Sequence, residues 1–293
     1  MFTIRSAGDS HKLEPLTCCR SALEIEVAGS TLHDVLTERW LPAAAGREVT
    51  ARSDFWPSRE TIEKLRQIPG DFSVVFQGQE VAFSGSGDHR TKVVPDAGDR
   101  SFMIVYPWHI LAVNEDVLSS VSEKIEGCVR ERVTVDGTLV LGADSVILPG
   151  VYIEGIAVIG RHCKVGPNCY LRGTTYLADN CHVGQAVEIK NSILMNHVAA
   201  GHLSYIGDSI ICPKTNFGAG TVISNFRHDG KNHRSLIDGE LVDTGRRKFG
   251  AILGDGVHTG IHSSIYPGRK IWPGISLRPG TVVQSDLREE KLY

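Results

Sequence analysis

Aliphatic residues recur at every sixth position through the second half of the chain. From Val135 the series runs through Leu141, Ile147, Ile153, Ile159, Val165, Leu171, Leu177, Val183 and Ile189 without a polar exception. With 41% of residues hydrophobic, ten in a row arise by chance about once in 7,000 trials per phase. Four residues after each lead stands a small or slim residue: Ser145, Val151, Ala157, Cys163, Cys169, Thr175, Cys181 and Val187. The phase slips near Asn191–Gly201 and returns at Ile211, Phe217 and Ile223. It resumes at Leu253, Thr259, Ile265, Ile271, Leu277 and Val283 after a polar excursion over 225–248. A period of six matches neither the 3.6 of a helix nor the 2 of an ordinary strand. It matches a solenoid in which each hexad forms one side of a coil. Three hexads close a triangular coil, and coils stack at strand spacing, about 4.8 Å. Residues 130–285 without the excursion predict about seven coils.

The first part has a different grammar. Ser30–Trp40 predicts a helix with Ser30 as N-cap and Leu32, Val35 and Leu36 on one face. Ser58–Gln67 predicts a second, with Ser58 as N-cap and Thr61 where a full capping box has Glu or Gln. Ser73–Phe76 and Glu80–Phe83 flank Gln77-Gly78-Gln79 as a hairpin, and Asn114–Val121 predicts a short linking helix. Of the 31 glycines, 22 fall after residue 132, whereas three of the four tryptophans fall before it, which sets a boundary between 115 and 130. We divide the chain into a small α/β domain, 1–120, and a mainly β solenoid, 121–293, with a loop insertion at 225–248.

Composition narrows the function classes. With 31 basic and 34 acidic residues the net charge is -3, so neither nucleic acid nor an anionic membrane surface is an expected partner. No apolar stretch approaches the ~20 residues of a membrane span, and the opening MFTIRSAGDSHKLEP lacks the apolar core of a signal peptide. Seven cysteines, an odd number, fit a reducing cytoplasm. Cys163, Cys169 and Cys181 take the small inward position, which predicts packing rather than a metal site. No metal is expected in the solenoid.

Positions three hexads apart should lie above one another on one wall. Arg172 and Lys190 are such a pair, with backbones about 4.8 Å apart. Two stacked cations repel unless an anion lies between or beside them. Two readings stay open: a seat for a phosphate or carboxylate, or a salt-bridge ladder with Glu154 below and Asp208 nominally above. His202 lies where the hexad phase breaks, close to Tyr205. The excursion follows directly on Asn216 and Asn225, which predicts a lid over a site. The stretch Asn216-Phe217-Gly218-Ala219-Gly220-Thr221 lacks the G-x-x-x-x-G-K-[ST] order of a nucleotide loop, and its glycines fit hexad corners.

Four motifs carry a specific resemblance: V-E-I-K (187–190), A-G-H-L-S-Y-I-G-D (200–208), N-F-G-A-G-T (216–221) and S-N-F (224–226). They resemble the acetyltransferase domain of the bifunctional N-acetylglucosamine-1-phosphate uridyltransferase/glucosamine-1-phosphate acetyltransferase family. V-D-T-G-R-R-K-F-G-A (242–251) resembles the archaeal-type branch of sugar-phosphate nucleotidyltransferase-like proteins. The resemblance covers roughly 133–285. It implies a left-handed parallel β-helix, a homotrimer, and N-acetyl transfer from acetyl-CoA to an amino-sugar 1-phosphate. It implies His202 as catalytic base, Arg172 and Lys190 as holders of the sugar phosphate, and Tyr205 and Asn216 as sugar contacts. Asn225 matches an active-site asparagine and Ala219 an acetyl-CoA contact, and a backbone N–H near Gly218–Gly220 would stabilise the oxyanion. Ile261 and Pro279 stand where the bacterial members have a serine and an alanine, and the chain ends at Arg288–Tyr293 without their basic extension.

The first region has a thinner likeness, in Leu13-Glu14-Pro15-Leu16-Thr17, Glu24-Ile25, Thr31-Leu32, Glu38-Arg39-Trp40 and Tyr106-Pro107-Trp108, to a bacterial group of sugar nucleotidyltransferase-like proteins. It lacks their G-x-G-T-R phosphate loop, so it reads as a reduced relic. Two alternatives to acetyl transfer follow: a non-catalytic module that binds a sugar phosphate or nucleotide sugar, and nucleotidyl transfer by the first region.

Overall fold

A computed structural model describes residues 2–85, 87 and 89–289. Glu290–Tyr293, part of the sequence ending discussed above, lie outside the described residues. The second region is a three-walled parallel β-helix, as the hexad period predicts. Its second wall is a seven-stranded sheet with one short strand per coil. The third and first walls merge into one thirteen-stranded sheet, because the strands Thr134–Leu141, Tyr152–Ile159 and Tyr170–Leu177 run round the corner between them. Every lead from Leu141 to Ile189 points inward and is at most 1% exposed, and the small positions from Ser145 to Val187 are at most 2% exposed. Val135, near the open lower end, is instead 37% exposed. Cys163 and Cys181 stack on one wall, where the Cys181 N–H donates to the Cys163 sulfur at 3.4 Å.

Register explains the phase slip. Glu154 lies opposite Arg172, and Arg172 opposite Lys190, each a full three-hexad coil further along. One corner later Tyr176 lies opposite Ile193, one position short of a full coil. The corner from the third wall to the first has lost a residue, and the next coils keep this shorter repeat, with Lys190 opposite Gly207 and Ile193 opposite Ile210. Lower down, the same corner stacks Gly137 on Gly155 on Gly173. Gly137 has φ +147, and a Cβ there would sit 1.9 Å from the Gly155 carbonyl oxygen, so the wider corner depends on glycine. The excursion leaves from this corner too. Ile210 lies opposite Ile252, so that coil returns to register only after the whole of 225–248 has been inserted into it.

The first region holds a five-stranded sheet of β1 (Phe2–Arg5), β2 (Val49–Arg52), β3 (Phe72–Phe76), β4 (Gln79–Ser84) and β5 (Thr91–Val93), in the order β1-β2-β4-β3-β5. The predicted hairpin is β3–β4, with Gln77 and Gly78 both at positive φ in its two-residue turn. Helix α1 spans Leu32–Trp40, and its N-cap is Thr31 rather than Ser30: the Thr31 hydroxyl accepts from Asp34 N–H, while Ser30 donates to the Asp34 carboxylate. Helix α2 spans Arg59–Gln67 and is capped by Ser58 as expected, through Thr61 N–H at 2.9 Å.

The largest departure is α3. It spans Trp108–Leu118 rather than Asn114–Val121, and it is no mere link. Trp108, Ile110, Leu111 and Val113 are buried in one core with Val158, Tyr176, Ile193, Ile210 and Ile252 from the outer side of the first wall. That wall is therefore apolar on both faces, and its strands read as continuous hydrophobic runs such as Ile193-Leu194-Met195. Asn114, 1% exposed, accepts from Ala28 N–H at 3.1 Å and donates to the Thr174 carbonyl at 3.4 Å. The helix thus docks at the third-to-first corner.

His109 on α3 accepts the Val105 and Tyr106 N–H groups on Nδ1 at 3.0 and 3.2 Å. Burial, with the Arg246 charge nearby, pushes its pKa down to about 4. The ring stays neutral in the fold while the unfolded chain protonates below about 6.5. Its contribution to stability is therefore present above that pH and is lost as pH falls toward 4, up to roughly 3 kcal/mol. Urea unfolding across this window should show stability falling with acid, and His109→Gln should flatten the slope; equal slopes would assign the acid sensitivity to other groups.

Candidate functional site

Arg172 ends the outward run of one third-wall strand and Lys190 that of the next, Glu188–Lys190. The stacking expected from the three-hexad spacing is present. Each cation already has a carboxylate. Arg172 binds Glu188, with Nε to Oε1 at 2.7 Å, and its guanidinium lies 5.5 Å from the Tyr170 ring centroid. Glu154, the expected partner, instead accepts the Tyr170 hydroxyl. Lys190 Nζ donates to both oxygens of Asp208 at 3.0 and 2.8 Å. Asp208 is not the stacked neighbour of Lys190, which is Gly207. It turns the corner at φ +50 and is 2% exposed.

Asp208 is the hub of this corner. Besides Lys190 it accepts from Asn191 Nδ2 at 3.1 Å and from Asn225 Nδ2 at 2.5 Å. Asn225 Nδ2 also donates to the Tyr205 hydroxyl at 2.9 Å. Tyr205 begins the third-wall strand Tyr205–Gly207, so its ring reaches across the wall to the corner. Burial raises its pKa, with Asp208 and Glu188 adding to the effect. Four predicted residues, Arg172, Lys190, Tyr205 and Asn225, therefore meet within one chain.

The other three lie elsewhere. His202 ends the second-wall strand Ala199–His202, is exposed, and makes no side-chain hydrogen bond among the described residues. It stands at the corner from the second wall to the third. Backbone bonds stack Ala219, Ile261 and Pro279 in the same column: Gly220 N–H to His202 O at 3.4 Å, His262 N–H to Ala219 O at 2.8 Å, and Gly280 N–H to Ile261 O at 2.8 Å. Ala219, which the resemblance links to acetyl-CoA, and the two departures Ile261 and Pro279 thus share one edge with the imidazole. Asn216 projects from the second wall opposite Ala199 and is not brought to the cations. The third wall separates the two edges by about three residues, or ~10 Å. Two suggested oxyanion donors are committed within the fold, Gly218 N–H to Thr259 and Gly220 N–H to His202 O.

The excursion is not a lid over His202. Its hairpin, Arg234–Ile237 with Glu240–Asp243, folds back over the first wall. Ser235 Oγ donates to Gly268 O at 3.1 Å, the Lys270 ammonium donates to the Leu236 carbonyl, and Ile237 joins the shared core. Its base borders the cationic corner, through Asn225, Phe226, His233 and Arg246 to Lys248, with His233 Nε2 2.9 Å from the Asn225 carbonyl oxygen and Lys248 Nζ 3.8 Å from the Phe226 ring centroid. Glu188, Asn191, Glu115 and Arg246 escaped the sequence reading. A hint was present for Glu188, which stands beside Lys190 on the strand stacked on Arg172, but none for Glu115, which arrives with α3.

Residues 151–274 match the family model of the GMPPB C-terminal domain. The chain is 41% identical over 201 residues to a bifunctional sugar-1-phosphate nucleotidylyltransferase/acetyltransferase of Sulfurisphaera tokodaii, covering 68% of this chain and 50% of that protein. It is 46% identical over 186 residues to the bifunctional protein GlmU of Methanococcus maripaludis, covering 64% and 45%. The solenoid is a homologue of these bifunctional proteins. The chain spans about half the length of these curated relatives. Among solved structures, a variant of AntD, an N-acyltransferase from Bacillus cereus in complex with dTDP-4-amino-4,6-dideoxyglucose and coenzyme A, matches at TM-score 0.29 and 17% identity, covering 53% of this chain and 75% of that one. No helix among the described residues is long and apolar enough to cross a membrane.

Asp208→Asn keeps a residue tolerant of φ +50 and removes the charge that holds Lys190. Urea unfolding should show a loss of about 2 kcal/mol; unchanged stability would mean that this corner does not depend on the ion pair.

Proposed function

We propose that the protein is a cytoplasmic acyl-CoA-dependent N-acetyltransferase acting on an amino-sugar 1-phosphate, with acetyl-CoA as co-substrate. The observation that carries the reading is the third wall, which has stacked cations at one edge and, at the other, an exposed imidazole with no side-chain hydrogen bond among the described residues. Arg172 and Lys190 hold the phosphate, to which Arg offers a forked donor and Lys a point charge. Tyr205 and Asn225 contact the sugar between them. The amine nitrogen then attacks the thioester carbon. The new N–C bond forms, the C–S bond breaks, His202 takes the amine proton and passes it to the departing sulfur, and coenzyme A leaves as a thiol. Ala219 contacts the acyl donor on the His202 edge. One flat wall cannot enclose a ligand, so the cleft closes between copies in a homotrimer, where Asn216 of a facing second wall reaches the sugar.

Positioned base catalysis contributes ~10²–10⁴-fold. With glucosamine 1-phosphate and acetyl-CoA, His202→Ala should reduce thiol release by that factor. An unchanged rate removes His202 from the mechanism. The apolar Ile261, 50% exposed on the acyl-donor edge, favours a second reading, a non-catalytic sugar-phosphate binding module. Calorimetry separates the two, since the enzyme binds acetyl-CoA and the module binds the sugar phosphate alone.

A further inference from the structure

The cationic corner is connected to the first region by a continuous set of hydrogen bonds that the chemistry above leaves unused. On α3, Glu115 Oε1 accepts from Asn191 Nδ2 at 2.8 Å. The same amide donates to Asp208 Oδ1 at 3.1 Å, and Asp208 holds Lys190 and Asn225. On its other side Glu115 is gripped by Arg246, from the end of the excursion, with NH1 3.2 Å from Oε2 and NH2 on Oε1. The buried Nε of Arg246 has no partner among the described residues, so Glu115 is the carboxylate that compensates this charge. Three separate parts of the chain converge here: a helix of the first region, the tightened corner at Asn191, and the returning arm of the excursion.

We infer that Glu115 is a positioning residue for the anion seat. It orients the Asn191 amide, the amide fixes one oxygen of Asp208, and Asp208 thereby sets where the Lys190 ammonium stands relative to Arg172. This rests on the reading of Arg172 and Lys190 as the sugar-phosphate seat. It gives the first region a part in substrate binding without chemistry of its own. The neighbouring Asp116 serves as a contrast. It binds Arg39 and the Trp56 N–H inside the first region and does not touch the corner.

The test compares Glu115→Ala, Glu115→Gln, Asn191→Gly and Asp116→Ala in the full chain. Asn191→Gly removes the linking amide and tolerates the native φ of +49. Glu115→Ala and Asn191→Gly should raise KM for glucosamine 1-phosphate about 5–20-fold while leaving kcat and the KM for acetyl-CoA within about twofold. Glu115→Gln, which keeps an oxygen for Asn191, should recover most of the loss. Asp116→Ala should lower the melting temperature without moving KM. A readout independent of activity is trace acylation of lysines followed by mass spectrometry, in which Lys190 should be labelled faster in Glu115→Ala and Asn191→Gly than in the wild type or Asp116→Ala. If Glu115→Ala does not fold, Asn191→Gly carries both readouts. A wild type without acetyl transfer defeats the proposed function, and labelling then decides the positioning role alone. Unchanged Lys190 labelling and KM in Asn191→Gly, or equal shifts in Asp116→Ala, would overturn the inference.

Discussion

Parallel stacking of coils is the constraint on which the rest depends. A coil can place two cations one strand spacing apart only if it returns to the same register, and a return of three whole hexads does this for Arg172 and Lys190. Repulsion at that distance has to be offset by anions. The protein supplies two carboxylates, Glu188 and Asp208, from the same side of the prism. Asp208 reaches Lys190 because the corner above Arg172 is one residue shorter, which brings it to the turn rather than onto the strand. The shortened corner, the charge pairing and the departure of the excursion are one structural event at one edge.

This event links the two halves of the molecule. The first wall is apolar outside as well as inside, so it needs a cover, and α3 provides it through Trp108, Ile110 and Leu111. Once that helix is docked, Glu115 falls beside Asn191 and Arg246 without any further loop. The excursion hairpin seals the remainder of the wall, with Ile237 in the same core. Its position directly after Asn216 and Asn225 suggested a cover for a ligand, yet the alternate residues Ser235 and Ile237 are buried against the wall, and the hairpin is committed to the fold.

Periodicity made the solenoid legible because inward positions tolerate only aliphatic and small residues at a fixed interval. It also made the Arg172–Lys190 pair legible, since stacking follows from the interval alone. Where the interval changed, legibility ended. Asp208 was assigned to a nominal stack above Lys190, although it is a corner residue that reaches the ammonium sideways. Helix α3 was shortened because Trp108–Val113 is buried on several sides and so shows no amphipathic stripe. The Ser30 cap lost to Thr31 because adjacent hydroxyl residues compete for one Asp34. The roles of Glu115 and Arg246 depend on how distant segments dock, which no local pattern encodes.

The third wall is the centre of the account, and a crystal structure with glucosamine 1-phosphate bound addresses it most directly. The phosphate should lie within hydrogen-bond distance of both the Arg172 guanidinium and the Lys190 ammonium, with the sugar over Tyr205. A phosphate bound away from both cations, with their pairs to Glu188 and Asp208 undisturbed, would contradict it.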